Sequence, residues 1–364
     1  MTQLEDLQTP ALVVDLDKLE ANIATMAEKT RRLGVSLRPH IKTHKCIEIA
    51  QMQRAAGCRG LTVSTLYEAR IFADHGFDDL TWALPLILNR MPEVRELAER
   101  LTLRLLVDSA AAIDALEAQK FPFHIWLKVD CGYHRAGVDP AGSLALELAE
   151  RLAESDLLRF DGLLTHSGHA YKADSLVSLR AVAEQERRVM SNLASELRDR
   201  NLVVPAVSVG STPAMSVVED LQGIDEARPG NYVFYDRMQA DLGACQVPDC
   251  AVTVLASVIS SQPGADHCVV DAGALSMSKD AASPIDGVES MGEIFRDYEL
   301  GALSGSLHLG ALSQEHGILS CNLPVGQRVR ILPNHSCLTV ACFNECAVVR
   351  GDRVVDRWKI WSGR

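Results

Sequence analysis

Short apolar segments alternate with amphipathic segments along the first two thirds of the chain. Residues 17–32 carry Leu19, Ile23 and Met26 at helical spacing, which predicts a helix. Eight strand-like segments follow, at residues 35–37, 61–64, 80–84, 101–107, 124–129, 160–165, 205–209 and 227–234. Helix-like segments lie between them, at residues 47–56, 66–74, 91–100, 110–119, 143–153 and 176–200.

This alternation predicts an α/β fold in which parallel strands are joined by crossover helices. Eight such units within roughly 200 to 250 residues predict one N-terminal (β/α)8 barrel, assigned to residues 16–240. A doubly wound open sheet is the alternative. No GxGxxG motif follows an early strand, which disfavours a dinucleotide site.

The pattern changes after about residue 240. Residues 251–260 are rich in β-branched side chains, and further strand-like segments lie at 268–271, 328–332 and 346–350. Turn signals such as Gln262-Pro263-Gly264 and Arg350-Gly351-Asp352 separate these segments. Residues 241–364 are therefore predicted to form a C-terminal all-β domain.

Composition narrows the class of protein. The chain has 364 residues, 47% of them hydrophobic and 23% charged, as in globular proteins. Its net charge of −12, without a basic block, disfavours nucleic acid and anionic membranes as partners. The acidic N-terminus does not resemble a signal peptide, and no apolar stretch is long enough to span a bilayer. Ten scattered cysteines without a CxxC pair indicate a reduced, cytoplasmic protein.

Lys42 lies in the run Arg38-Pro39-His40-Ile41-Lys42-Thr43-His44-Lys45, just after the first predicted barrel strand. Burial at a strand end and the surrounding positive charges both favour a neutral amine. A neutral lysine amine can form a Schiff base with an aldehyde such as pyridoxal phosphate. The alternative is an ordinary solvated lysine.

Polar groups also follow the seventh and eighth predicted strands, where a barrel collects its chemistry. Gly210, Ser211 and Thr212 open a helix, so free N–H groups, two hydroxyls and the helix dipole favour an anion there. Gly230 and Asn231 would add N–H groups, as in phosphate sites built after strands seven and eight. The alternative is an ordinary helix cap and turn.

Two further loops follow the fifth and sixth predicted strands. Arg135 carries a permanent positive charge suited to binding a phenolate or a carboxylate, with a surface salt bridge as the alternative. His166, His169 and Tyr171 place two imidazoles and a phenol on one loop. These three side chains predict either the lining of a site or polar packing at the barrel rim.

His335 and Cys337 follow the predicted strand at residues 328–332. On an extended chain, side chains two residues apart point to the same side. An imidazole and a thiolate suit Zn²⁺, and two protein ligands leave positions open for water or substrate. The alternative is a buried cysteine beside an unrelated histidine.

The chain resembles the fold-type III pyridoxal-phosphate enzymes, and within them the metal-dependent D-serine dehydratase and D-threonine aldolase group. The resemblance extends from about Thr9 to the C-terminus. It rests on the Arg38–Lys45 run and on four further motifs: Thr9-Pro10-Ala11-Leu12-Val13-Val14-Asp15, Val129-Asp130-x-Gly132-x-x-Arg135-x-Gly137, His166-Ser167-Gly168-His169-Ala170-Tyr171 and Pro333-Asn334-His335-Ser336-Cys337.

The resemblance implies an alanine-racemase-like barrel that carries the cofactor and a β-domain to which residues 1–15 add a strand. It implies a homodimer with the active site near the interface. It implies Lys42 as the Schiff-base lysine, Arg135 near the phenolate oxygen of the cofactor, and His166 and Tyr171 along the cofactor or substrate. It further implies a phosphate site made by Gly210, Ser211, Thr212, Gly230 and Asn231, and a metal held by His335 and Cys337.

The implied reaction is dehydration of a small D-3-hydroxy amino acid, either D-serine-like or D-threo-3-hydroxyaspartate-like. Lys42 would remove the Cα proton, and the metal would stabilise the departing hydroxide. The products would be a 2-keto acid and ammonia. In this family the His-x-Cys pattern favours a dehydratase, whereas His-x-Asp is typical of D-threonine aldolases. The thiolate favours zinc, with manganese or magnesium as alternatives.

Retro-aldol cleavage to glycine and an aldehyde is the alternative reaction. An amino-acid racemase ranks lower because it needs a second acid or base, commonly a tyrosine of the β-domain. Tyr298 is the only tyrosine after residue 240, and it lies in an acidic stretch. A non-catalytic cofactor carrier also ranks lower, since such carriers resemble the barrel alone.

Overall fold

The computed structural model describes residues 2–282 and 289–363. These residues form two compact units, each assembled from segments that are separated in sequence. The barrel unit comprises residues 26–42, 50–230 and 363, and the β unit comprises residues 2–25, 43–49 and 231–362 apart from the gap. The predicted domain ranges include residue 1, residues 283–288 and residue 364, which lie outside the described residues.

Strand β1 (Ala11–Asp15) comes first and belongs to the β unit. Eight strands then build the barrel unit: β2 (Ser36–Leu37), β3 (Leu61–Val63), β4 (Asp79–Pro85), β5 (Thr102–Val107), β6 (His124–Lys128), β7 (Arg159–Leu164), β8 (Val207–Val209) and β9 (Glu226–Ala227). Strands β3 and β8 are buried at every position, as expected for parallel strands that are covered on both faces.

The eight barrel strands are hydrogen-bonded in the order β2-β9-β8-β7-β6-β5-β4-β3, and every neighbouring pair is parallel. A parallel bridge between His40 and Thr62 joins the segment after β2 to β3. The Arg59 N–H also donates to the Leu37 carbonyl at 2.8 Å. The ring therefore closes, so the predicted barrel is confirmed and the open-sheet alternative is wrong.

Helices connect these strands. They are α1 (Leu16–Arg32), α2 (Ile47–Ala55), α3 (Leu66–Asp74), α4 (Met91–Arg100), α5 (Ala110–Glu117), α6 (Ser143–Ala153), α7 (Leu176–Asp199) and α8 (Thr212–Val217). Side-chain hydroxyls cap the N-termini of two of these helices. The Thr65 hydroxyl at α3 and the Ser175 hydroxyl at α7 each accept a hydrogen bond from a backbone N–H group. Within residues 2–282 and 289–363, no helix is both long and apolar enough to cross a membrane.

The β unit contains the strands β10 (Val252–Ser261), β11 (Cys268–Val270), β12 (Glu293–Asp297), β13 (Ala302–Leu312), β14 (Gly317–Leu319), β15 (Arg328–Leu332), β16 (Glu345–Arg350) and β17 (Arg353–Lys359). Its short helices are α9 (Arg237–Asp241), α10 (Ala274–Met277) and α11 (Ser336–Ala341). The sheet order is β11-β14-β13-β12-β15-β10-β1-β16-β17, and a further β10–β11 pairing closes the first six strands into a ring. Strand β1 lies antiparallel to β10 and parallel to β16.

The strand predicted at residues 227–234 is mostly wrong. Strand β9 ends at Ala227, and Asn231–Val233 form a 3-10 helix instead. Pro229 lies between them and has no N–H group to continue a parallel ladder, so the apolar residues that follow are buried without forming a strand.

Candidate active site

Lys42 lies in the short 3-10 helix Ile41–Thr43, which follows β2 at the C-terminal end of the first barrel strand. Ile41 and Thr43 are both fully buried, whereas the Lys42 side chain between them is exposed. The expected burial of this lysine is therefore wrong. The buried neighbours fix its backbone while the amine stays accessible to a ligand.

Two carboxylates compensate the positive charge of Arg38. Its guanidinium is buried and binds the Glu226 carboxylate at 2.6 Å and the Asp79 carboxylate at 2.7 Å. Burial opposes the positive charge, but Glu226 and Asp79 outweigh it and raise the pKa of Arg38. Arg38 therefore closes a buried ion-pair group that links β2, β9 and β4.

The loops after β6 and β7 meet at Tyr133. The Arg135 guanidinium lies over the Tyr133 ring, with 4.8 Å between its Cζ and the ring centroid. The same ring meets His166 edge-on at 6.3 Å and stacks on His169 at 6.1 Å, measured between centroids. A Cβ at Gly168 would lie 2.3 Å from the ring, so only glycine fits there. Two motifs that are distant in sequence thus converge through one aromatic side chain.

The predicted anion cradle lies at the start of α8. Ser211 is its N-cap, and the Ser211 hydroxyl accepts the Ala214 N–H at 3.3 Å while keeping a proton to donate. Gly210 has a φ of +108°, in the left-handed region that favours glycine. A Cβ there would lie 3.2 Å from the backbone nitrogen of Arg228. A side chain at position 210 would therefore crowd the neighbouring backbone, and the anion-binding role of this turn stays a prediction.

Glu186 connects this cradle to the loop after β7. Its buried carboxylate, on α7, accepts the Ser167 N–H at 2.9 Å and the Gly210 N–H at 3.2 Å. Burial raises the pKa of Glu186, although these hydrogen bonds oppose that shift. One side chain from a distant helix thus fixes the backbones of two loops.

Two buried cations lie in the barrel unit, Lys128 at the end of β6 and Arg228 after β9. Burial and the Arg228 charge lower the pKa of Lys128 to about 8, and burial lowers the pKa of Arg228 to about 10. Burial, together with the charges of Lys42 and Lys128, also lowers the pKa of His166 well below its ordinary value. A bound anion would offset this buried positive charge.

Tyr171 lies in the 3-10 helix Gly168–Lys172, five residues after His166, and is partly buried. Gly230 is buried and ends the main segment of the barrel unit, whereas Asn231 begins the last segment of the β unit. The Asn231 amide donates to Asp236 Oδ2 at 2.6 Å and to Ser336 Oγ at 2.9 Å. The side-chain amide of Asn231 is thus already hydrogen-bonded, so binding of a phosphate by this residue would use its backbone N–H. That role stays a prediction.

His335 and Cys337 converge at the start of a helix rather than on a strand. His335 is the extended N-cap residue of α11, and Cys337 lies in the first turn. The expected extended run is therefore wrong, because Asp236 accepts hydrogen bonds from both the N–H and the hydroxyl of Ser336 and bends the chain into the helix. The two side chains still hydrogen-bond each other.

His335 lies beside the negative charges of Cys337 and Asp280. Burial lowers the pKa of His335, but the Cys337 charge and the Asp280 carboxylate outweigh it and raise the pKa to about 11. An environment that stabilises a proton on the imidazole so strongly also suits a divalent cation in its place. Among residues 2–282 and 289–363, no group of three or more His, Cys, Asp or Glu side chains is placed to hold a metal ion. The candidate metal site therefore rests on the pair.

A further contact joins the pair to the run that contains Lys42. The Thr43 hydroxyl lies 3.1 Å from the Cys337 sulfur, and both residues belong to the β unit. Both side chains are buried. The thiol is thus in contact with a residue of the Arg38–Lys45 run.

Sequence reasoning did not select Tyr133, Glu186, Arg228 or Asp280 as site residues. Glu186 had a signal, since it interrupts the apolar stripe of α7 formed by Leu179, Ala183, Met190 and Leu193. Tyr133 lies within the motif at residues 129–137, and Arg228 lies two residues before Gly230. Asp280 had no signal, because only the folded chain brings it to His335.

Comparison with known proteins gives consistent matches over the whole chain. Residues 14–238 match the model described as alanine racemase, N-terminal domain, and residues 251–349 match the putative serine dehydratase domain. The chain is 38% identical over 374 residues to D-threo-3-hydroxyaspartate dehydratase of Delftia sp. (strain HT23), covering 98% of each chain. It is 33% identical over 381 residues to D-serine dehydratase of Dictyostelium discoideum, covering 97% of this chain and 96% of the relative. A solved metal-free mutant form of D-threo-3-hydroxyaspartate dehydratase has a TM-score of 0.93 at 36% identity and covers 100% of both chains.

Proposed function

Because the chain belongs to the fold-type III family that contains D-serine dehydratases and D-threo-3-hydroxyaspartate dehydratases, we propose that it is a lyase of the same kind. It would use pyridoxal phosphate and a divalent metal, with zinc favoured, to convert a small D-3-hydroxy amino acid to a 2-keto acid and ammonia. The contact that supports this proposal most directly is that between Thr43 and Cys337. Thr43 follows Lys42 in the chain, so the motif that contains the proposed cofactor lysine also contacts the proposed metal ligand Cys337.

The residues of the barrel unit fit the cofactor. The buried positive charges of Lys128 and Arg228 suit its anionic groups, and the glycine-dependent backbone at Gly210 suits its phosphate. Arg135, His166 and Tyr171 are the side chains proposed to line it, with Gly230 and Asn231 adding backbone N–H groups.

The residues of the late motif fit a metal. The imidazole of His335 and the thiolate of Cys337 are donors that Zn²⁺ prefers. A relative of high similarity is described in a metal-free form, which supports a metal in the working enzyme.

The reaction then divides between the bound groups and the chain. When bound, the cofactor supplies an electron sink for the electrons released at the substrate Cα, and the metal supplies a Lewis acid for the departing hydroxyl oxygen. Lys42 Nζ, exposed on a fixed backbone, would take the Cα proton. His166, neutral at pH 7 because of its lowered pKa, would pack without adding positive charge. Arg135 would orient an anionic oxygen with its guanidinium.

The structure supports a lyase over a racemase through Tyr298. Its hydroxyl donates to Asp15 Oδ2 at 3.0 Å, and its ring contacts two cations, Lys18 Nζ at 3.8 Å and Arg330 Cζ at 3.2 Å from the centroid. Burial raises the pKa of this phenol. Tyr298 is therefore held in a polar cluster of the β unit, a poor arrangement for an acid or base that must exchange protons with substrate.

Product analysis tests the proposed function. We expect the cofactor-loaded, zinc-loaded enzyme to convert D-threonine to 2-oxobutyrate and ammonia in equal amounts, and to act in the same way on D-serine or D-threo-3-hydroxyaspartate. Chromatography of keto acids and an ammonia assay give these amounts. Glycine and acetaldehyde would instead show retro-aldol cleavage, and L-allo-threonine without ammonia would show a racemase. Tight cofactor binding without turnover of any D-amino acid would show a carrier.

We expect Glu186→Gln to weaken pyridoxal-phosphate binding by about tenfold or more. Hydrogen bonds to a charged carboxylate contribute about 1.5–3 kcal/mol, and this carboxylate fixes the Gly210 N–H at the cradle. Titration of the cofactor-free protein, followed by absorbance, measures the change. Glu184→Gln is the matched control, because Glu184 lies two residues earlier on α7 and is half-exposed beside Arg187. Equal affinities in the two variants would contradict the assigned role of Glu186.

We also propose that the protein is a homodimer, as the family resemblance implies, and that it works in a reducing compartment. All ten cysteines of the chain are free, which supports the latter.

A further inference from the structure

We propose that Asp280 is the positioning residue of the candidate metal pair: it holds the imidazole of His335 through Nδ1 and so presents Nε2 to the ion. This inference rests on the proposed function, in which His335 and Cys337 hold the metal. Asp280 Oδ2 lies 2.5 Å from His335 Nδ1, within hydrogen-bonding distance. The two side chains are partly exposed, with 25% of His335 and 34% of Asp280 accessible.

The late motif itself holds Asp280 in place. The buried Asn334 amide donates to the Asp280 carbonyl at 2.8 Å and to the Ser290 carbonyl at 2.5 Å. Asn334 directly precedes His335, so the residue before the candidate ligand anchors the segment that carries its partner. A single stretch of chain therefore sets both ends of the His335–Asp280 contact.

A bent backbone brings Asp280 back to this stretch. Ser278 ends α10 with a φ of +66°, an uncommon conformation for a residue other than glycine. The Ser278 hydroxyl accepts the Asp280 N–H at 3.3 Å. The Thr339 hydroxyl of α11 donates to the Met277 carbonyl of α10 at 2.8 Å, which ties the two helices together. These hydrogen bonds fix the backbone so that the Asp280 carboxylate lies beside the His335 imidazole.

The chemistry of the imidazole explains why this placement matters. A metal-bound histidine uses one ring nitrogen as the ligand and donates the N–H of the other, most often to a carboxylate or carbonyl. The acceptor fixes the tautomer and the ring orientation and makes the ligand nitrogen a stronger donor. Because the ring nitrogens point away from each other, an oxygen bonded to Nδ1 is not placed to bind an ion on Nε2. Asp280 therefore acts through His335.

The second partner of the pair is arranged differently. Besides His335, Cys337 contacts the Thr43 hydroxyl at 3.1 Å and the Asn231 amide at 3.8 Å, and both of these groups are neutral. A thiolate already carries the negative charge that a cation needs, whereas a neutral imidazole gains donor strength from a carboxylate behind it. The charge of Asp280 is thus placed where it affects metal affinity most.

Zinc binding by the cofactor-loaded, metal-stripped protein tests the proposal. We expect Asp280→Asn and Asp280→Ala to weaken zinc affinity by about 10- to 100-fold, measured by competition with a chromogenic chelator. Asp280→Glu should recover part of the loss, because it restores a carboxylate. Asp266→Asn is the matched control, since Asp266 Oδ1 also binds a histidine, His267, at 3.0 Å but on an exposed surface.

Three further readings separate the alternatives. The cofactor absorbance and the melting temperature should stay unchanged, which would exclude general loss of structure. The visible spectrum of the Co²⁺-loaded variants should keep the coordination type of the unaltered protein, and a changed type would overturn the proposal by making Asp280 a direct ligand. Unaltered zinc affinity in both Asp280→Asn and Asp280→Ala would overturn it as well. If the unaltered protein binds no zinc, the metal part of the proposed function fails, and the role of Asp280 fails with it.

Discussion

Replacing Lys42 by alanine is expected to abolish covalent attachment of pyridoxal phosphate and to reduce turnover by about 10⁴-fold or more. Lys42 is proposed both to hold the cofactor and to take the Cα proton, and general-base catalysis alone contributes about 10² to 10⁴. Borohydride reduction followed by peptide mass spectrometry identifies the lysine that carries the cofactor. In the unaltered protein the label should lie on the peptide that contains Lys42.

Lys128 is the competing amine. Its pKa is lowered to about 8, so a larger fraction of it is neutral at pH 7 than of an ordinary lysine. Its side chain is only 6% exposed, however, and a buried amine without access cannot reach the cofactor aldehyde. Lys42 follows the C-terminal end of a barrel strand with its side chain exposed, where barrel enzymes bind their substrates. Accessibility therefore favours Lys42 over Lys128 as the proposed cofactor lysine.

Lys45→Ala is the matched control, because Lys45 belongs to the same cationic run and its removal should leave the reducible link intact. A label on Lys128, or an Lys42→Ala variant that keeps both the label and the turnover, would show that the lysine has been assigned wrongly. Loss of the label in Lys42→Ala with normal cofactor affinity would separate the covalent role from simple binding.

The barrel was predictable because its pattern is local. A parallel strand buried on both faces must be short and apolar, and the helix that returns to the next strand must be amphipathic, so each unit leaves its own signal. The errors fall where the chain is buried without regular structure. Residues 231–234 are all buried, like a strand, but Pro229 and the 3-10 helix Asn231–Val233 interrupt the ladder.

The β unit was predicted less completely because its strands leave weaker signals. Strands β12, β13, β14 and β17 were not predicted. Most of β13 is exposed or partly exposed, and it contains Gly305 and Gly310, so its residues show neither alternation nor strong β propensity. Tertiary pairing with β12 and β14 makes it a strand.

The residues of the candidate site were also predictable only in part. Groups at strand ends were predictable because a closed barrel brings the C-terminal ends of its strands together. Asp280 was not, because it reaches His335 from an element distant in sequence. Glu186 left a signal in the interrupted apolar stripe of α7, but that stripe does not identify its partners. The sequence identified His335 and Cys337 as a candidate pair, but the predicted extended geometry is wrong. Hydrogen bonding to Asp236 makes these residues the start of helix α11.

Removal of the metal is expected to stop dehydration while leaving the cofactor in place. Hydroxide is a poor leaving group, and a divalent cation at the departing oxygen contributes several kcal/mol of charge stabilisation, about 10³-fold or more in rate. We therefore expect chelator-treated protein to lose turnover of D-serine by about this factor and to regain it when zinc is added. The visible absorbance of the cofactor should not change, because the proposed metal ligands are separate from the proposed cofactor residues.

Cys337→Ala should reproduce the effect of the chelator, and added zinc should not rescue it. Cys342→Ala is the matched control, because Cys342 ends the same helix, α11, but is exposed. Cys337→Asp should retain activity with Mn²⁺ better than with Zn²⁺, since a carboxylate is a harder ligand than a thiolate. Full-rate production of pyruvate by the chelated protein would remove the metal from the reaction and leave leaving-group assistance to the side chains alone.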